Sequence, residues 1–265
     1  MLEQDSQIGG VGRLYLDLLK RSLTNNIFGG EPDPADDTAR YVLAAVEHYQ
    51  HSAAVSMIPL VRLDNLERCI ADVIAHRVPG DLVETGVWRG GATIFMRAVL
   101  KVLGEMDRIV WAADSFEGLP EPDPEKYPLE AKAFKSDAMT KYYKHLAVGL
   151  DEVKRNFEAY GMLDDQVRFL KGWFKDTLPT APIDKIAVLR LDGDYYESTR
   201  DALTALYDKV SPGGYIIVDD YGEDHWTYCR RAIEEFRAAR GIIDPLQYVD
   251  PPCRFWQKSK PGNCR

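Results

Sequence analysis

The chain predicts an α/β fold built on a mainly parallel sheet, and three features carry that prediction. Short apolar runs of strand length (residues 81–86, 108–113, 166–170, 185–191 and 215–218) alternate with longer segments of helical periodicity. The runs at 81–86, 108–113, 185–191 and 215–218 stop at a glycine or an aspartate, the punctuation of strand-to-helix turns. The last two runs, 246–249 and 254–257, are joined across Asp250-Pro251-Pro252-Cys253, a hairpin spacing too short for a helical crossover.

Bulk composition narrows the class. The 265 residues are 45% hydrophobic and 28% charged, ordinary values for a globular chain long enough to bury a large core. A formal net charge of −9 with no lysine or arginine block argues against nucleic acid or an anionic membrane as partner. Cys69, Cys229, Cys253 and Cys264 show no C-x-x-C spacing, so neither a zinc knuckle nor a disulfide frame is expected. The amino end lacks the basic head and apolar core of a signal peptide, and no apolar run has membrane-spanning length. The expected location is cytoplasmic.

In chain order, residues 12–28 place Leu14, Leu18, Leu19, Leu23 and Ile27 on one helical face, before Gly29-Gly30-Glu31-Pro32 breaks the pattern. Such a helix covers its own domain, a subunit interface or the mouth of a site. A second helix is expected over 38–52. A third follows Pro59, with Leu63, Leu66, Ile70, Val73 and Ile74 at helical spacing and Pro79-Gly80 ending it. Residues 1–78 thus form a helical segment ahead of a core spanning 79–258, and 259–265 form a frayed tail. Between 53 and 57, Met57 is core filler or one wall of a pocket.

The core opens with the stretch around which the rest is arranged. Strand 81–86 ends in Glu84-Thr85-Gly86, Val87-Trp88-Arg89-Gly90-Gly91 makes a tight turn, and 92–103 resumes helical spacing. Strand, glycine turn and helix N-terminus are how an α/β fold approaches a nucleotide. The glycines are not spaced G-x-G-x-x-G, however, and Glu84 would repel a pyrophosphate while suiting an ammonium group. The next strand ends in Asp114-Ser115, where a carboxylate can take two ribose hydroxyls. Ribose at one end, ammonium at the other and no phosphate describe S-adenosylmethionine. Gly172-Trp173-Phe174, at the end of the third strand, could flank its adenine ring.

A proline-rich, acidic stretch followed by a lysine- and tyrosine-bearing one (about 119–150) interrupts the core after the second strand. That placement suits a lid, with Tyr142, Tyr143 and His145 as candidate substrate contacts. The fourth strand ends in Asp192-Gly193-Asp194 and the fifth in Asp219-Asp220. Parallel neighbours finish on one edge, so Asp192, Asp219 and Asp220 should converge there. Three uncompensated carboxylates call for a shared proton, an arginine or a hard cation such as Mg²⁺.

Five strings, in order, resemble the macrocin O-methyltransferase (TylF-like) family, which includes sugar O-methyltransferases of mycinamicin and novobiocin biosynthesis. They are Glu84-Thr-Gly-Val-Trp-Arg-Gly-Gly91, Ala113-Asp-Ser-Phe116, Gly172-Trp-Phe-Lys-Asp-Thr-Leu-Pro179, Leu191-Asp-Gly-Asp194 and Val218-Asp-Asp-Tyr221. The resemblance implies a class I (Rossmann-like) methyltransferase sheet of seven strands with the last antiparallel. It further implies S-adenosylmethionine bound by Glu84, Thr85, Gly86, Gly90, Asp114, Ser115, Gly172, Trp173 and Asp192, and Mg²⁺ held by Asp192, Asp219 and Asp220. The acceptor would be a deoxysugar hydroxyl on a glycosylated small molecule, in a homo-oligomeric enzyme. Asp192 is the candidate base, with His225 and His145 as alternatives. The acidic segment 222–228 departs from the family, so no particular sugar is transferred with the resemblance. A catechol or phenol acceptor on the same fold is the nearest rival. A nicotinamide-dependent oxidoreductase and a non-catalytic scaffold are the more distant ones.

Overall fold

The computed structural model describes residues 8–28, 53–135, 144–222 and 227–259. The order of elements is α1 (Gly10–Leu23), α2 (Leu60–Ala75), β1 (Asp81–Thr85), α3 (Gly91–Val102), β2 (Val110–Asp114), α4 (Pro128–Phe134), α5 (Leu150–Ala159), β3 (Val167–Lys171), α6 (Phe174–Thr177), β4 (Ile186–Leu191), α7 (Tyr196–Leu206), β5 (Val210–Val218), α8 (Thr227–Ala239), β6 (Gln247–Asp250) and β7 (Cys253–Gln257). The helix expected over 38–52 lies outside the described residues. No described helix is long and apolar enough to cross a membrane.

The strands form one sheet in the order β3-β2-β1-β4-β5-β7-β6, parallel except that β7 runs antiparallel to β5 and to β6. The order reverses between β1 and β4, and ligands of open α/β sheets bind in the crevice that such a switch opens at the carboxyl ends. Both faces are covered, which is why β4 (Ile-Ala-Val-Leu-Arg-Leu) is buried throughout rather than alternating. Leu82 and Val188 pack under α3 and α2, while Val83 and Leu189 pack under α7.

Two expectations shift in register. In α1 it is Leu16, Leu19 and Leu23 that are buried, while Leu14 is 72% and Leu18 58% exposed. The helix is rotated so that one stripe meets α3 and α2 and another, Val11-Leu14-Leu18, faces outward. β5 begins at Val210, five residues before the run at 215–218, so Pro212-Gly213-Gly214 is a bend inside the strand. Gly213 N–H donates to Lys258 O (2.7 Å) and Lys258 N–H to Gly214 O (2.8 Å), so the bend stays within the pairing to β7.

Candidate active site

At the carboxyl ends of β1, β2 and β4 lies a cavity of about 370 Å³, the size of a small-molecule site. One end is the β1–α3 turn. Gly86, Trp88 and Gly90 there have φ of +88°, +47° and +92°, so the chain doubles back sharply. A Cβ on Gly86 would stand 1.7 Å from the carbonyl oxygen of Asp192, so only glycine lets this turn touch the β4 loop.

Asp114 organises the turn from the next strand. Its Oδ2 accepts from Val87 N–H (2.7 Å) and its Oδ1 from Phe116 N–H (2.7 Å), while the carboxyl group lines the cavity. Burial raises its pKa, and the backbone donors of Val87, Phe116 and Trp88 oppose that rise. Ser115, Trp173 and Phe174 line the same cavity. Met57 lines it too, which makes the residue a pocket wall.

Other expected cofactor contacts lie elsewhere. Glu84 is 1% exposed and both of its oxygens are engaged. Oε1 pairs with Arg190 (2.5 Å) and Oε2 accepts from Thr93 Oγ1 (2.8 Å). The reason is strand alternation. Glu84 shares a face with Leu82, under α3, and its register partner on β4 is Arg190. It therefore sits beneath the turn, outside the cavity lining. Thr85 is likewise buried, with its hydroxyl toward Arg190 O (3.4 Å). Gly90 caps α3 against Phe157 and Val153, and Gly172 is not part of the cavity lining.

The other end of the cavity is acidic. Asp192, Asp194 and Asp220 each bring a carboxylate oxygen within 4.8 Å of the others. Asp219 does not join them. Its Oδ2 pairs with Arg62 Nη1 (2.5 Å) and its Oδ1 with Arg190 Nη2 (2.5 Å). Alternation again decides. Asp219 falls on the Ile217 face, toward α2, whereas Asp220 turns to the β4 loop and accepts from Asp194 N–H (3.0 Å). Asp194 thus takes the place expected of Asp219. It adopts a left-handed φ of +58°, which carries its side chain round to Asp192 and Asp220.

Arg190 spans three acids, since Nη1 also reaches Asp192 Oδ2 (2.9 Å). Burial alone would lower its pKa, but the charges of Asp219, Asp192 and Glu84 outweigh that and hold it firmly cationic. Arg62 extends the ladder to Asp250 (2.6 Å). Asp192 and Asp220 titrate well above the ordinary aspartate range. Burial is the main cause for both, reinforced by the charge of Asp219 on Asp192 and of Asp194 on Asp220. His145 offers its backbone carbonyl to Trp88 Nε1 (3.1 Å), with its ring against the indole. Tyr142, Tyr143 and His225 lie outside the described residues, as does most of the divergent 222–228 segment. Sequence reasoning passed over Val87, Trp88 and Asp194 as site residues. The last was legible in the Asp-Gly-Asp spacing.

This strand order, with its antiparallel β7 and a cavity at the β1/β4 switch, defines a class I methyltransferase. Residues 47–258 match the family described as macrocin-O-methyltransferase (TylF). The chain is 49% identical over 257 residues to a rhamnosyl-tetracenomycin-C 4′-O-methyltransferase of Streptomyces olivaceus, covering 92% of each chain. It is 46% identical to demethyldecarbamoylnovobiocin O-methyltransferase of Streptomyces niveus, covering 98% of this chain and 99% of that one. The solved O-methyltransferase NovP superposes with a TM-score of 0.81 at 47% identity, over 94% of this chain and all of that one. A calicheamicin methyltransferase (TM-score 0.61, 18% identity, 91% of each chain) shares the fold. The chain belongs to the macrocin-O-methyltransferase (TylF) family and is an O-methyltransferase.

Proposed function

We propose that the chain moves the methyl group of S-adenosylmethionine to a hydroxyl of a deoxysugar on a natural product, in antibiotic-type biosynthesis. The observation that carries this reading is one cavity lined both by Gly86, Trp88, Asp114 and Trp173 and by Asp192 and Asp194. A nucleoside fits the first end, where Asp114 offers acceptor capacity and Trp173 an aromatic wall. The relatives named for a rhamnosyl-tetracenomycin and a novobiocin precursor support a glycosylated acceptor.

The acidic end fits a hard divalent cation, because three carboxylates bring oxygens within 4.8 Å of one another, the donor set such an ion takes. Asp192, Asp194 and Asp220 would hold Mg²⁺, which lowers the pKa of an acceptor hydroxyl and fixes its direction. Asp192 is the best-placed base. Its carboxylate lines the cavity, and burial and neighbouring acids raise its proton affinity while Arg190 fixes its orientation. The walls formed by Trp88, Leu146 and Phe174 exclude water from a transfer that otherwise needs alignment alone.

We read the enzyme as cytoplasmic and homo-oligomeric, the latter supported by the outward Val11-Leu14-Leu18 stripe of α1. Titration calorimetry with S-adenosylhomocysteine, with and without Mg²⁺ and with NAD as control, tests the donor. Micromolar binding of the homocysteine ligand is expected, and a preference for NAD would overturn the reading. Labelled-donor assays on glycosylated and phenolic acceptors test the acceptor class. Asp192→Asn should abolish transfer while leaving that ligand's affinity nearly intact.

A further inference from the structure

Helix α7 starts two residues after Asp194, so its first turn anchors the acidic loop. The side chain of its own N-cap residue, Tyr195, makes no capping hydrogen bond to the helix. The first amide of the helix is instead taken by a distant residue. Tyr196 N–H donates to Glu130 Oε1 (3.1 Å), and Glu130 belongs to α4 of the insertion, 66 residues earlier. Glu130 is only 6% exposed. A carboxylate placed in this way satisfies one orphan donor and faces the positive end of the helix dipole. The same contact is built in apolar terms beside it. The rings of Tyr127 and Tyr196 lie 5.3 Å apart, packed with Ala232, and the Tyr196 hydroxyl donates to Glu235 on α8 (2.6 Å). The insertion also supplies Leu119, Glu121 and Leu146 to the cavity wall.

We propose that Glu130 is a positioning residue, a helix cap supplied in trans that makes docking of the insertion and setting of the Asp192–Asp194 loop a single event. The inference rests on the reading of that loop as the catalytic end of the cavity. Docked, the loop carboxylates are held at fixed separation and the insertion closes one wall. Undocked, the first turn of α7 frays and both are lost together.

The docked state also prefers a protonated carboxyl. Burial pushes Glu130 up to about 7, with Glu197 adding to the rise and the Tyr196 N–H opposing it. The other titratable or charged groups around this contact are Tyr127 on the insertion, Arg200 and Asp201 on α7, and Cys229, Arg231 and Glu235 on α8. A carboxyl that binds its proton more tightly when docked makes docking weaken as pH rises from the ordinary 4.5 to about 7, with no further loss above that.

The experiment compares full-length wild type, Glu130→Ala, Glu130→Asp and Glu130→Gln. The first readout is amide hydrogen exchange over 196–199, corrected for the intrinsic rate at each pH and run without any ligand. Glu130→Ala and the shorter Glu130→Asp should exchange about ten-fold faster there, the size of a lost helix cap. Glu130→Gln keeps the acceptor and should match wild type near pH 4.5 while lacking the rise in exchange that wild type shows between there and about pH 7. In turnover, Ala and Asp should lower kcat by roughly ten-fold with S-adenosylhomocysteine affinity within about two-fold, and Gln should restore kcat. Unchanged protection of 196–199 in both Ala and Asp overturns the cap. Failure of wild type to bind S-adenosylhomocysteine overturns the functional reading and leaves the exchange result standing.

Discussion

Replacing Asp194 by asparagine should make the ion-free protein more stable, whereas replacing Asp219 should make it less so. Asp194, Asp192 and Asp220 present carboxylate oxygens within 4.8 Å of one another. At that separation and an effective dielectric of about 20, each like-charged pair costs about 3.5 kcal/mol. Shared protonation and the exposed edge of Asp192 reduce this, leaving about 2 kcal/mol relieved by neutralising one member. For a chain of this size that is a rise in Tm of about 4–8 °C. Asparagine keeps the shape and tolerates the left-handed φ of +58°, so no backbone strain offsets the gain. Asp219 sits instead between Arg62 and Arg190, at 2.5 Å from each. Its asparagine variant leaves two buried guanidiniums short of a counter-charge and should lose about 3 kcal/mol. Thermal unfolding by circular dichroism, with and without millimolar Mg²⁺, reads both effects. Wild type and Asp219→Asn should keep a Mg²⁺-dependent rise in Tm, and Asp194→Asn should lose most of it along with turnover. If Asp194→Asn is destabilised without the ion, or if Asp219→Asn is the variant that loses the Mg²⁺ effect, the assignment of the cluster is refuted.

Other substitutions separate scaffold from site. Glu84→Gln should cost about 3 kcal/mol in denaturant unfolding, because it removes one of the three carboxylates facing Arg190, and should leave S-adenosylhomocysteine affinity within about three-fold. A large loss of affinity with stability intact would return Glu84 to the cofactor. Gly86→Ala should cost more than about 3 kcal/mol, since its Cβ would stand 1.7 Å from Asp192 O on a backbone of φ +88°. Wild-type stability would mean the turn can open. Asp114→Asn should weaken S-adenosylhomocysteine by about ten-fold or more in calorimetry, because an amide nitrogen replaces one acceptor among the two that grip Val87 and Phe116.

The architecture was legible because periodicity and punctuation agreed. Five βα units and a closing hairpin fall within a few residues of their expected bounds, and β7 is antiparallel as the Asp250–Cys253 spacing required. What periodicity could not choose was rotation. In α1 several stripes are apolar, and only packing on α3 and α2 selects Leu16 and Leu19 over Leu14 and Leu18. In sequence the fifth strand starts only at 215, because Pro212-Gly213-Gly214 marks a turn in isolation. In the sheet, their backbone pairs with Lys258.

The misplaced acids have one cause, and it was visible in the chain. Counting carboxylates at strand ends treats each as facing the cleft, but a residue inside a strand faces alternately one layer and the other. Glu84 and Asp219 fall on the face covered by α3 and α2. The signal was Arg190, the one charged residue in an otherwise apolar, fully buried strand. A guanidinium at 2% exposure in the middle of a sheet must be matched by carboxylates from its neighbours on the same face. β1 and β5 flank β4, and Glu84 and Asp219 are the acids they carry on that face. With those two engaged on that face, the strand-end acids that come together are Asp192, Asp194 and Asp220, of which Asp192 and Asp194 line the cavity. A buried arginine in a strand therefore says which acids of the flanking strands belong to the scaffold, while Asp192, past the strand end, is the one it shares with the cavity.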